Sequence, residues 1–199
     1  MSGAGKATDT YRMKEFPIPW KETLEGCRLS VENAERLAED ARILKRNNRA
    51  QSAYAIILDA WEELGKAVLL FRYFKQKEDI SWKDWKKILR DHKHKRIAWA
   101  HSQDLLYGET LPKSVLQLKE TFESAITQED RNWFDLEREV GVYVDWLGPK
   151  EHWRSPCRMD STWFNFPFTS DYWTPIVLAQ CKHLRELIAK EEKAAENVI

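Results

Sequence analysis

The chain has 199 residues, with 32 basic and 32 acidic side chains. A formal net charge of zero excludes a surface coated in positive charge but permits a local basic patch. A composition of 43% apolar and 32% charged residues, with only seven Gly and seven Pro, excludes disorder and favours one helical domain over a turn-rich β fold.

In chain order, residues 1–16 are small and polar and read as a flexible tail. Gly3-Ala-Gly-Lys6-Ala-Thr8 lacks the glycine spacing and preceding strand of a phosphate loop and is set aside. Leu24, Cys27, Val31, Ala34, Ala38 and Ala41 recur at three- and four-residue spacing and predict a helix from about Trp20 to Arg46. Asn47-Asn48 predicts a turn, with Asn48 as the next cap. The second helix, about Arg49 to Gln76, is apolar nearly all round and should be central and buried. A third starts at Ser81, capped with Asp84 three residues on, and continues to about Gln103.

Beyond a loop at Tyr107–Pro112, helices are predicted over 113–125 and 127–147. The Trp-, Phe- and Pro-rich stretch 148–171 reads as an irregular strap, because so many aromatics are costly in water. Thr174-Pro175 opens a last helix with the stripe Ile176, Leu184, Leu187 and Ile188, and a charged tail that frays from 191 to 199. The expectation is an all-α, up-and-down bundle of about five or six helices without a sheet, as a single domain over 17–190.

Ten tryptophans read first as filling a helical core, with base stacking by a few as the sharper alternative. Cys27, Cys157 and Cys181 are scattered and odd in number, which points to a reducing compartment and a cytoplasmic location. No apolar run is long enough to span a bilayer, so no membrane association is expected.

Two segments carry the candidate chemistry. On the apolar second helix, Asp59, Glu62, Glu63 and Lys66 share one stripe, and Gly65 sits mid-helix, where it often marks a close approach of two backbones. From Lys83 to Arg96 there are seven Lys or Arg and two acids. Within that run Trp85, Ile88, His92, Lys95 and Trp99 keep helical spacing, so His92 and Lys95 fall on the apolar side, while Arg90, His94, Ile97 and His101 share the other. A buried charge costs several kcal/mol unless paired, so Glu62 or Glu63 should face His92 and Lys95, with Lys66 joining them. Such a cluster either pins helix geometry or forms a site.

Asn33-Ala-Glu-Arg-Leu37, Ala53 through Glu62-Glu63-Leu64-Gly65-Lys66, His92-Lys-His-Lys95, Val142-Tyr143-Val144-Asp145 and Trp153-Arg-Ser-Pro156 occur in one order over residues 30–160. This pattern resembles the AbiV abortive-infection family, a branch of the HEPN helical domains. The resemblance implies a HEPN-type bundle, a role in phage defence, a phage-encoded protein as trigger, a homodimer, and in many HEPN relatives a metal-independent ribonuclease with an Arg-x4–6-His motif. Arg96 to His101 has that spacing, but Ile97 stands where a polar residue is common, and residues five apart lie about 140° apart around a helix. Arg90 to His94 is one residue too short.

Chemistry favours His92 instead, with His94 and His101 as secondary candidates. An imidazole moves protons near neutral pH. Glu62 or Glu63 would orient it, and Lys95 and Lys66 would stabilise charge on a phosphate. Arg90, Lys93 and Arg96 are the candidate RNA contacts. No cofactor and no metal is expected, because the Glu-x-x-His pairs of helical di-iron bundles are missing and Lys66 and Lys95 would repel a cation. The two function classes are an RNA-cleaving effector and a non-catalytic module that binds a phage or translation component.

Overall fold

The computed structural model describes residues 16–100, 145–146, 153–154 and 170–196. The 1–15 tail, the helices predicted over 113–125 and 127–144, the loop at Tyr107–Pro112, most of the 148–171 strap, His101 and Cys157 lie outside the described residues. Those described form five helices: α1 (Trp20–Arg46), α2 (Ala50–Gln76), α3 (Trp82–Arg90), α4 (His92–Ala100) and α5 (Ser170–Glu196). The class is all-α, as the periodicity predicts, with one addition. Asp145–Trp146 (β1) pairs antiparallel with Trp153–Arg154 (β2). This two-residue ladder corrects both the sheetless expectation and the predicted helix end at 147.

α1 buries Cys27, Val31, Ala34, Ala38 and Ala41, all 0% exposed, along its predicted stripe. The small residues on that stripe let α1 lie close against α2, where a Cβ on Gly26 would come 3.2 Å from a Leu70 methyl. The chain then turns through Asn47 and Asn48. Asn48 is not the cap expected; it takes a left-handed conformation (φ 60°), which asparagine tolerates, and α2 starts after Arg49 without a side-chain cap. α2 is the central helix, packed against each of the other four. Ile57, Ala60, Trp61, Leu64, Ala67 and Val68 are fully buried along it.

At the far end of α2, Lys77 ends the helix in the left-handed region. Ile18 and Ile80 then exchange backbone hydrogen bonds of 2.9 Å, and Asp79 accepts the Trp20 amide at 2.8 Å. The segment before α1 is thereby tied to the α2–α3 connection.

The third helix departs from its predicted span. Ser81 caps it as expected, accepting the Asp84 amide at 3.1 Å, but it stops at Arg90. Asp91 is extended (φ −89°, ψ 93°) and its side chain accepts the His94 amide at 2.8 Å, capping a new helix, α4. The single face assumed for Arg90, His94 and Ile97 therefore does not exist, because Arg90 lies on α3 and the other two on α4.

α5 begins at Ser170, four residues before the predicted start, so Pro175 lies inside the helix rather than in its first turn. It continues to Glu196, well into the 191–199 tail predicted to fray, and Glu191 pairs with Lys75 of α2 at 2.7 Å. Trp173, Val177, Cys181 and Leu184 enter the core at 0% exposed. There Trp61, Trp99 and Trp173 meet: Trp61 stacks on Trp99 at 5.2 Å and meets the edge of Trp173 at 4.3 Å. The Trp99 indole donates to Gln180 at 3.0 Å, joining α4 to α5. These three tryptophans fill the core, as the plainer reading of the composition holds. Burial raises the thiols of Cys27 and Cys181 to about 12, so neither is a nucleophile at neutral pH.

Candidate functional site

The site is assembled where α4 crosses α2. Gly65 makes the crossing close: a Cβ there would lie 2.0 Å from the Lys95 carbonyl oxygen and 2.7 Å from its carbon. With no side chain in the way, the α4 backbone rests on α2 one turn from Glu62. Glu62 is 3% exposed, the one charged side chain of α2 that is fully buried.

Three side chains of α4 converge on the Glu62 carboxylate. Arg96 donates from Nε and a terminal nitrogen to Oε1 at 3.1 and 3.0 Å. Lys95 Nζ lies 3.1 Å from Oε2, and His92 Nδ1 is hydrogen-bonded to the same oxygen. Lys95 also reaches the Leu89 carbonyl at 3.4 Å, in the last turn of α3. Burial pushes the Glu62 carboxyl up, but the His92 hydrogen bond and the charges of Arg96 and Lys95 outweigh it and hold the group below the usual carboxylate range. The His92 side chain remains 36% exposed. Its Nε2 has no hydrogen-bond partner among the described residues.

The depressed Glu62 carboxyl sets a pH dependence. Its stabilising contribution is present above the pKa of an unfolded glutamate and is lost as pH falls through the lower folded value. Wild-type stability should therefore decline on the acid side, and a Glu62→Gln variant should show a flatter acid limb in urea titrations run from pH 7 downward. An acid limb unchanged by the substitution would refute the assignment.

Of the residues singled out in the sequence, the structure brings together His92, Lys95 and Glu62. Glu63 and Lys66 pair instead with each other, at 2.6 Å, both partly buried. Arg90 and Lys93 are exposed. Arg96, expected as an RNA contact, is 6% exposed and spent on Glu62, because it follows His92 by one turn and points the same way. His94 is half-buried; burial, then the charge of Lys87, lowers its pKa from the ordinary histidine value. Asp91 was not singled out at all, although an Asp placed just before an abrupt His-Lys-His run is an N-cap signal. Among the described residues no three His, Cys, Asp or Glu side chains gather as a ligand set, and no helix is long and apolar enough to cross a membrane.

A family model described as AbiV, of the HEPN superfamily, matches residues 22–162, which holds α1 from its third residue, all of α2 to α4 and the β1–β2 ladder. The chain belongs to the AbiV family. The match covers both halves of the site, Glu62 with Gly65 on α2 and His92 with Lys95 and Arg96 on α4. It stops before α5, so the helix that closes the core of this AbiV chain lies outside the matched region. No curated protein and no solved structure matches the chain.

Proposed function

We propose that this AbiV chain is an abortive-infection effector of phage defence that cleaves RNA in the cytoplasm as a metal-independent endoribonuclease. The observation that carries the reading is the pairing of a buried carboxylate with a half-exposed imidazole. Glu62 holds His92 through Nδ1, which orients the ring, and Nε2 is left to work on a ligand. In the proposed reaction Nε2 takes the proton of a ribose 2′-hydroxyl as that oxygen attacks the adjacent phosphorus. The bond from phosphorus to the 5′-oxygen breaks, leaving a 2′,3′-cyclic phosphate and a 5′-hydroxyl. The exposed Arg90 and Lys93 flank His92 in sequence and supply positive charge to the phosphate. A homodimer would supply the proton for the leaving oxygen from the second copy's His92, and a phage-encoded protein would act as the trigger.

A second reading is favoured by a different observation. Lys95 and Arg96 are both buried on Glu62, an arrangement that fixes how α4 sits on α2 whether or not RNA is cleaved. On that reading the chain is a non-catalytic module that binds a phage or translation component.

Incubation of the full chain with total RNA in EDTA separates the two. The ribonuclease reading expects fragments with cyclic phosphate ends, lost in His92→Ala together with growth arrest. That variant removes one hydrogen bond and leaves Glu62 paired with Lys95 and Arg96. It should cost about 1–2 kcal/mol of stability, a fall in Tm of about 2–8 °C. Intact RNA from a wild-type protein that still arrests growth would overturn the enzyme and support the module.

A further inference from the structure

Four basic residues of α3 have no role in the cluster on Glu62. Ile88 is the one buried residue of that helix. At about 100° per residue, Lys83, Lys86, Lys87 and Arg90 fall within an arc of about 100° on the side opposite Ile88. Lys83, Lys87 and Arg90 are exposed, and so is Lys93 on the first turn of α4. Among the described residues none of these four has an ion-pair or hydrogen-bond partner. The contrast is with α1, where Arg28, Arg36 and Arg42 are each locked to a carboxylate one turn away. Lys86 instead lies over the Trp82 ring, 5.7 Å from its centroid.

We infer that this face of α3 is a binding track for the phosphate backbone of a single RNA strand, leading to His92. The track ends where the site begins: Arg90 is the last residue of α3 and His92 the first of α4. Lys83, Lys86 or Lys87, and Arg90 follow one another about one helical turn apart, close to 5.4 Å. That rise is comparable to the spacing of neighbouring phosphates on an extended strand. A nine-residue helix is about 13 Å long, enough for three or so phosphates. It is far too short for the roughly 16 base pairs that duplex-binding domains span. In a chain of zero net charge, a basic arc on one helix, of which Lys83, Lys87 and Arg90 have no ion-pair or hydrogen-bond partner among the described residues, has charge complementarity with a polyanion. The inference rests on the proposed ribonuclease reading for what happens at the end of the track, but not for the binding itself.

The test uses full-length protein and a fluorescent 2′-O-methyl RNA oligomer, which cannot be cleaved, with affinity measured by anisotropy across a salt series. Wild type and His92→Ala should bind alike. The triple variant Lys83→Gln, Lys87→Gln, Arg90→Gln should lose affinity on the order of a hundredfold at about 50 mM salt. Its log–log salt slope should shrink by about 2, at about 0.7 per lost phosphate contact. Its melting curve should match wild type, since all three side chains are exposed. Single Gln variants, each lowering the slope by about 0.7, keep the test valid if the triple variant is poorly folded. Equal binding by the triple variant overturns the track, as does preference for a duplex of the same sequence. Loss of growth arrest with RNA binding intact also overturns it and points to an acidic protein partner. Binding that behaves as expected beside a wild-type protein that never cleaves RNA would support the track and sink the catalytic reading alone.

Discussion

A Glu62→Gln substitution should destabilise the fold by about 3–5 kcal/mol, because it removes the carboxylate with which two buried cations pair. Glutamine keeps the shape and one acceptor oxygen, so the loss is electrostatic rather than a packing defect. Arg96 is 6% exposed and keeps a cationic guanidinium there. Lys95, equally buried, is left beside it with like charge. For a chain of this size such a loss lowers Tm by roughly 6–20 °C. Replacing Glu62, Lys95 and Arg96 together with apolar residues of similar volume should recover most of that stability, since no buried charge remains. A Glu62→Gln protein that melts with wild type would mean the cations escape to solvent and the cluster is not closed. His92→Ala, in contrast, touches the half-exposed member, so the two substitutions divide stability from chemistry at one carboxylate.

Gly65→Ala should be the most damaging single-methyl change in the described chain. On an ordinary helix this substitution gains about 1 kcal/mol from backbone propensity. Here the new Cβ would sit 2.0 Å from the Lys95 carbonyl oxygen, and that atom belongs to a helix backbone, not to the flexible end of a side chain. Relief requires the whole of α4 to move outward. Overpacking of this kind costs about 1–3 kcal/mol and at times more. The displacement would also draw His92, Lys95 and Arg96 away from Glu62. The expected result is a lower urea midpoint together with loss of whatever activity depends on His92. Gly26→Ala is the control: its Cβ would meet only a Leu70 methyl at 3.2 Å, which can rotate aside. A Gly65→Ala protein as stable as wild type would show that α4 is not seated on α2 at that point.

The long elements were legible because their evidence is local. The bounds of α1 and α2 follow from apolar spacing, and the four charges on α2 stand out because their background is apolar. Pairing Glu62 with His92 and Lys95 needed only the observation that each lies on a face with nothing else to satisfy it. Choosing Glu62 over Glu63 required the register of two helices, which is a tertiary quantity. The break at Asp91 escaped detection because Ile88, His92, Lys95 and Trp99 keep their phase across it, so periodicity reads straight through an extended residue. Arg96 was misplaced by the company it keeps: in a run of basic residues it looks solvent-facing, although it lies i+4 from His92. Pro175 by local preference belongs in the first turn of a helix opening at Thr174, and the packing of Trp173 against Trp61 and Trp99 overrides that preference.

The three packed indoles also order the events of synthesis. Trp61 and Trp173 are 112 residues apart, by subtraction of their positions, yet their ring centroids lie 4.3 Å from each other. α1 and α2 are joined by a three-residue turn and can pair as soon as both have been made. Trp173, the edge-on neighbour of Trp61, arrives only with α5, and at about 5–20 residues per second that delay is on the order of 5–20 seconds. During that interval the nascent chain displays apolar surface that Trp173, Val177 and Cys181 of α5 later cover. The hydrogen bond from the Trp99 indole to Gln180 likewise forms only once α5 has been made.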